Sequence, residues 1–179
     1  MTASSRPGPP PEEDPEADPE SVARAILLRQ LTLGPRTRLQ LERKLRERNV
    51  PEETADAVLA RFEDVGLIND AEFARMWVRS RGESKSLGRA ALRRELGEKG
   101  ILGEVAEDAL SAVSDEDEAA AARRLLERRV RAVDRSDPAA RDRELRRLVG
   151  MLARKGHSPG AAFRIAAEVL DAGGGAPPQ

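Results

Sequence analysis

One pattern, recurring three times without a gap, limits this chain more than anything else in it. Leucines at Leu41 and Leu45 are followed by Asn49 and Val50; Leu92 and Leu96 by Gly100 and Ile101; Leu148 and Leu152 by Gly156 and His157. Leucines four apart share one face of a helix, and Asn or Gly tolerates the left-handed conformation in which helices commonly end. The register continues downstream, where Ala55, Ala106 and Ala162 align, as do Phe62, Val113 and Val169. A second helix therefore follows each stop. Helical spacing over Ser21–Leu33, Asp70–Arg81 and Glu116–Val133 supplies a helix before each copy. The expected fold is all-α, an elongated array of three tandem three-helix repeats at 20–69, 70–115 and 116–172. Small repeated units of this kind lean on their neighbours for stability.

Breaks are expected near Gly34–Pro35, Asn49–Pro51, Gly66–Asn69, Gly82–Ser86, Gly100–Gly103, Ser114–Glu116, Asp134–Pro138 and Gly156–Pro159, which leaves nine helices. Valines and isoleucines nowhere alternate over a run, so no strand is expected. The corner from Phe62 to Arg81 holds three of the four aromatic residues, Phe62, Phe73 and Trp77. Asn69 and Glu72 have the spacing of a capping box, with Ile68 and Phe73 at the positions of a hydrophobic staple. Phe73, Met76, Trp77 and Ser80 then predict one inward face, with Trp77 anchoring a core.

Charged residues make up 35% of the chain and aromatics only 2%, which suits helices with apolar seams and solvated outer faces. There is no cysteine, so disulfides, thiol nucleophiles and thiolate metal sites are out of reach. No basic start followed by an apolar run marks a secretory signal, and no segment is apolar enough to span a bilayer. Residues 1–19 read as a disordered acidic, proline-rich tail and 173–179 as a flexible end. Residues 1–20 hold six acids and one base, which leaves 30 bases against 26 acids in the rest. A mildly basic body suits acidic or polyanionic partners.

The stretch GLINDAEFARMWVRSR at Gly66–Arg81 resembles the signature of the RecX family, small all-helical regulators of the RecA recombinase. The resemblance extends through Ser86, Leu87, Gly88 and Leu92 to GEKGI at Gly97–Ile101, and back into RTRLQLERKLRERNV at Arg36–Val50. It covers roughly residues 21–170. It implies a cytoplasmic, non-enzymatic protein of DNA recombination, repair and the SOS response. It also implies an array lying along the groove of RecA filaments on single-stranded DNA and inhibiting ATPase, strand-exchange and co-protease activities. A monomer is expected.

The residues themselves present no catalytic constellation, cofactor cradle or metal site. His157, the single histidine, occupies a core position and reads as a partly buried packing residue. Basic clusters are the better candidates for partner binding. They are Arg38, Arg43, Lys44 and Arg48 in the first repeat, and Arg79, Arg81, Arg89, Arg93 and Arg94 in the second. The third contributes Arg143, Arg146 and Arg147. Arg48, Lys99 and Lys155 coincide in the repeat register, where a last-turn base offsets the helix dipole. Three short helices with basic members also describe helical DNA-binding modules. Too few aromatics are available for a single-strand stacking platform, and weak, salt-sensitive nucleic-acid contact is compatible with both readings.

Overall fold

A computed structural model describes residues 18–134 and 136–173. Among these residues there are nine α-helices and no strand. The helices are α1 (Pro19–Thr32), α2 (Arg38–Glu47), α3 (Glu52–Asp64), α4 (Asp70–Lys85), α5 (Arg89–Glu98), α6 (Gly103–Ser111), α7 (Asp115–Glu127), α8 (Pro138–Arg154) and α9 (Pro159–Gly173). The expected tails fall mostly outside the described residues. At the edges Pro19 already lies in α1, capped by the Asp18 carboxylate, and Gly173 still lies in α9.

The chain divides into two compact units, one ending at Ile68 and one beginning at Asn69. In the first unit, Ala23 and Leu27 of α1, Leu41 and Leu45 of α2 and Val58, Leu59 and Phe62 of α3 close a core with Ile68. The second unit holds two cores. Phe73, Ala74, Val78, Leu92, Leu96, Ile101 and Leu110 build one from α4–α6. Ala122, Leu126, Leu148, Leu152, Ile165 and Val169 build the other from α7–α9.

The three aligned helix stops form the same motif. Asn49, Gly100 and Gly156 take φ of 56°, 83° and 85°. The amide of the next residue, Val50, Ile101 or His157, returns to the carbonyl of the second leucine at 3.1, 3.0 and 3.1 Å. These bonds satisfy carbonyls that the helix end would otherwise orphan.

Other expectations need correction. Gly82 stays helical, and α4 ends instead at Ser86, a buried non-glycine residue at φ 51°. Met76 and Ser80 are exposed, because the buried stripe of α4 runs through Phe73, Ala74 and Val78. The Asn69 side chain caps the Glu72 amide at 2.9 Å, but the Glu72 carboxylate turns to Arg75 rather than completing a capping box. The complete box is Thr37 with Gln40, at 3.1 and 3.3 Å.

Helix α7 stops at Glu127, six residues before the expected end at Val133, and α8 begins with Pro138. Tertiary bonds engage the backbone of Arg129 and Arg131 just beyond the end of α7. Glu144, 8% exposed, accepts the Arg131 amide at 2.9 Å, and Arg147 reaches the Arg129 carbonyl at 2.6 Å. Val130 and Val133 meanwhile pack on the third core.

Glu144→Ala should cost about 1–3 kcal/mol, since it leaves the donors of Arg131 and Arg147 without their carboxylate; urea melts of the variant would show it. Acid should act on the same group. Hydrogen bonding from Arg147 holds the Glu144 carboxyl below its ordinary 4.5. Its contribution is therefore complete above that value and lost as pH falls through the depressed one. Glu144→Gln should flatten the acid limb of the stability profile between about pH 5 and 3, a window set by that ordinary value.

Candidate functional site

Most of the sequence-predicted basic residues are engaged inside the molecule. In the first unit Arg38 reaches across to Glu63 at 3.2 Å and Asp56 at 3.4 Å, and Lys44 pairs with Glu47 at 2.7 Å. Arg43 is exposed and makes no ion pair among the described residues; Arg48, also exposed, has beside it the Glu47 carboxylate that Lys44 already holds.

In the second unit Arg81 pairs with Glu95 at 3.1 Å and covers the Trp77 ring at 4.4 Å. Arg89 is the most committed of the set. Its guanidinium meets Asp115 at 2.9 Å, Glu118 at 3.6 Å and the Val113 carbonyl at 2.5 Å. Arg93 forms a two-point fork on Glu107, both contacts at 2.7 Å. Arg146 pairs with Asp142, Arg147 with Glu144 at 2.5 Å, and Arg143 lies 3.7 Å from Asp137 while staying largely exposed. Arg79 and Arg94 are exposed and make no ion pair among the described residues. These two and Arg43 hold their positive charge at the surface. Pairs at the surface, such as Arg93 with Glu107, are typically worth less than about 1 kcal/mol to folding.

The three aligned bases at the helix stops diverge. Arg48 projects into solvent, Lys99 lies 3.9 Å from the centre of the Trp77 ring, and Lys155 donates to the Lys85 carbonyl at 2.7 Å. His157 is buried as expected, but as a polar junction. Nδ1 is 3.1 Å from Glu118 Oε1, and Nε2 is 3.0 Å from the Ser86 carbonyl. Spacing gave no hint of this, because the partners lie 39 and 71 residues away. Hydrogen bonding from His157, then from the Arg89 amide, holds the Glu118 carboxyl below its ordinary range. Among the described residues no group of three or more His, Asp or Glu side chains is placed to hold a metal ion, and no helix is long and apolar enough to cross a membrane.

Successive trios of short helices, each ending its middle helix in the same left-handed turn, define a protein of tandem three-helix domains with a charged helical surface. Residues 23–62 match the family model described as RecX, first three-helix domain, and residues 69–110 match RecX, second three-helix domain. The regulatory protein RecX of Streptomyces coelicolor is 49% identical over 158 residues, covering 88% of this chain and 82% of that protein. Its counterpart in Thermobifida fusca is 45% identical over 175 residues, covering 96% and 91%. The crystal structure of RecX from Lactobacillus salivarius superposes with a TM-score of 0.76 at 26% identity, covering 86% of this chain and 97% of that one. The chain belongs to the RecX family of regulatory proteins.

Proposed function

We propose that the chain is a non-enzymatic regulator that binds RecA filaments on single-stranded DNA and inhibits their ATPase, strand-exchange and co-protease activities. It would do so as a cytoplasmic monomer built from the three repeats at 20–69, 70–115 and 116–172, in recombination, repair and the SOS response. Membership of the RecX family over nearly the whole chain is the observation that carries this reading. A chain of several small domains touching neighbouring subunits of a polymer makes its later contacts effectively intramolecular. Affinity for filament should then far exceed affinity for a free subunit.

Within this reading Arg43, Arg79 and Arg94, exposed and without an ion pair among the described residues, are the leading contacts for acidic groups of the partner. Arg38, Lys44, Arg48, Arg81, Arg89, Arg93, Arg143, Arg146 and Arg147 contribute to the surrounding positive field. Arg79→Glu with Arg94→Glu should weaken filament binding by at least about tenfold, since like charges set against a partner cost several kcal/mol. Helicity and melting should be unchanged, because neither side chain is committed to the fold. Arg93→Glu is a poorer test, because it would also set two carboxylates together at Glu107. Inhibition of filament ATPase at rising salt provides the readout, with the parent losing more than the variant. If the double variant lost affinity for bare DNA but still inhibited the ATPase, a helical DNA-binding module would replace the regulator reading.

A further inference from the structure

We infer that His157 is a positioning residue whose protonated ring closes a clasp between the α4–α6 and α7–α9 helices of the second unit. The two cores of this unit are separate clusters, and backbone and polar groups bridge the seam between them. The Gly88 amide donates to the Lys155 carbonyl at 2.9 Å and the Ala90 amide to the Gly156 carbonyl at 3.3 Å. Lys155 Nζ adds a third bond, to the Lys85 carbonyl at 2.7 Å. The His157 side chain, 1% exposed, sits behind these bonds and joins the turn after α4 to α7.

Donor and acceptor chemistry sets the protonation state that fits this seat. The Ser86 carbonyl only accepts, so Nε2 must carry a hydrogen. An ionised Glu118 carboxylate also only accepts, so Nδ1 is matched only if it carries one too. The neutral ring has a single N–H and sets a lone pair against one of the two oxygens. The imidazolium satisfies both.

The surrounding charges support that state. On α7, Glu118 faces the ring directly and Asp115 stands beside it, holding Arg89 at 2.9 Å. On α5, the Arg89 amide and Nε lie 3.4 and 3.6 Å from the Glu118 carboxylate and, after the His157 ring itself, favour its ionised form. At the end of α8, Lys155 directs its charge to the Lys85 carbonyl. A cleft of about 500 Å³, whose lining includes Arg93, Arg164 and His157, lies beside the clasp. Loss of the Nδ1 hydrogen as pH rises would leave two acceptors in contact and loosen the seam.

The test needs no partner, so its failure is separate from that of the filament reading. Because the chain has one histidine, ¹⁵N spectra of the full chain labelled at histidine report this ring alone. They would be followed across pH together with hydrogen-exchange protection of the Gly88 and Ala90 amides, corrected for intrinsic rates. In the closed state both ring nitrogens should carry hydrogens. Protection of both amides should fall about tenfold in step with loss of the Nδ1 hydrogen, the worth of one buried charged hydrogen bond. Val50 in the first unit should not respond. Glu118→Gln should keep the amides protected while abolishing the pH dependence, because an amide N–H can donate to the neutral ring. The inference is overturned if the closed state holds a ring with one N–H, if protection ignores the ring's proton, or if Glu118→Gln retains the parent's pH profile.

Discussion

Gly156→Ala should lower the stability of the second unit by about 3–5 kcal/mol, a large share of the roughly 5–15 kcal/mol typical of a folded protein. Gly156 has φ +85°, and a Cβ built there would stand 2.4 Å from the Ala91 amide nitrogen and 2.6 Å from the Ala91 Cβ. Both the left-handed backbone and the lack of space oppose the substitution. The atoms in the way belong to backbone and a short side chain, so they can yield only if the seam opens. Gly88 faces the same constraint from the other side, with its Cβ position 2.5 Å from the Gly156 carbonyl oxygen. Gly103→Ala is the control. That residue is left-handed at φ +59° with nothing within 4 Å, so it should cost only the conformational penalty, about 1–2 kcal/mol. Denaturant melts followed by hydrogen exchange would separate the units, and protection in the first should survive Gly156→Ala.

Trp77→Ala should cost about 3 kcal/mol, at the low end for deletion of a large aromatic. The ring is half-buried rather than fully inward. It stacks on Phe73 with centroids 5.7 Å apart, and its Nε1 donates to Glu95 at 2.8 Å. Arg81 and Lys99 cover it at 4.4 and 3.9 Å. Removal therefore strips a lid from Phe73 and leaves Glu95 with one partner fewer. Trp77→Phe keeps the stack and loses the hydrogen bond, so about 1 kcal/mol is expected. Equal melting temperatures for Trp77→Ala and the parent would mean that the lid carries no stability.

The repeat was legible because its signal is local. Leucines four apart and a residue tolerant of positive φ four further on specify a helix and its stop within ten positions, and all three copies obey. The end of α4 was legible only to within the expected Gly82–Ser86 break. Glycine at 82 has the composition of a stop, but a helix interior tolerates glycine for about 1 kcal/mol, and the chain turns at Ser86, whose carbonyl accepts from the His157 ring. The end of α7 was hidden for a similar reason. Arg128–Val133 contains no breaker, and the backbone leaves the helix to meet Glu144 and Arg147.

The basic clusters were legible as clusters, but not which members were free. Arg38 finds Glu63 across 25 positions, and Arg93 finds Glu107 across 14. Such pairings depend on how helices pack, which no spacing along one helix discloses. His157 was placed correctly in the interior because it shares a register with Val50 and Ile101. Its chemistry was missed because the register says nothing of the carboxylate and carbonyl that meet it.

Co-sedimentation of the full chain with preformed RecA filaments on single-stranded DNA tests the proposed regulatory role most directly. The chain should pellet with filament at concentrations where free RecA and bare single-stranded DNA retain little of it, and rising salt should release it. Equal binding to free RecA, or to the bare strand, would contradict the reading of this chain as a regulator of the filament.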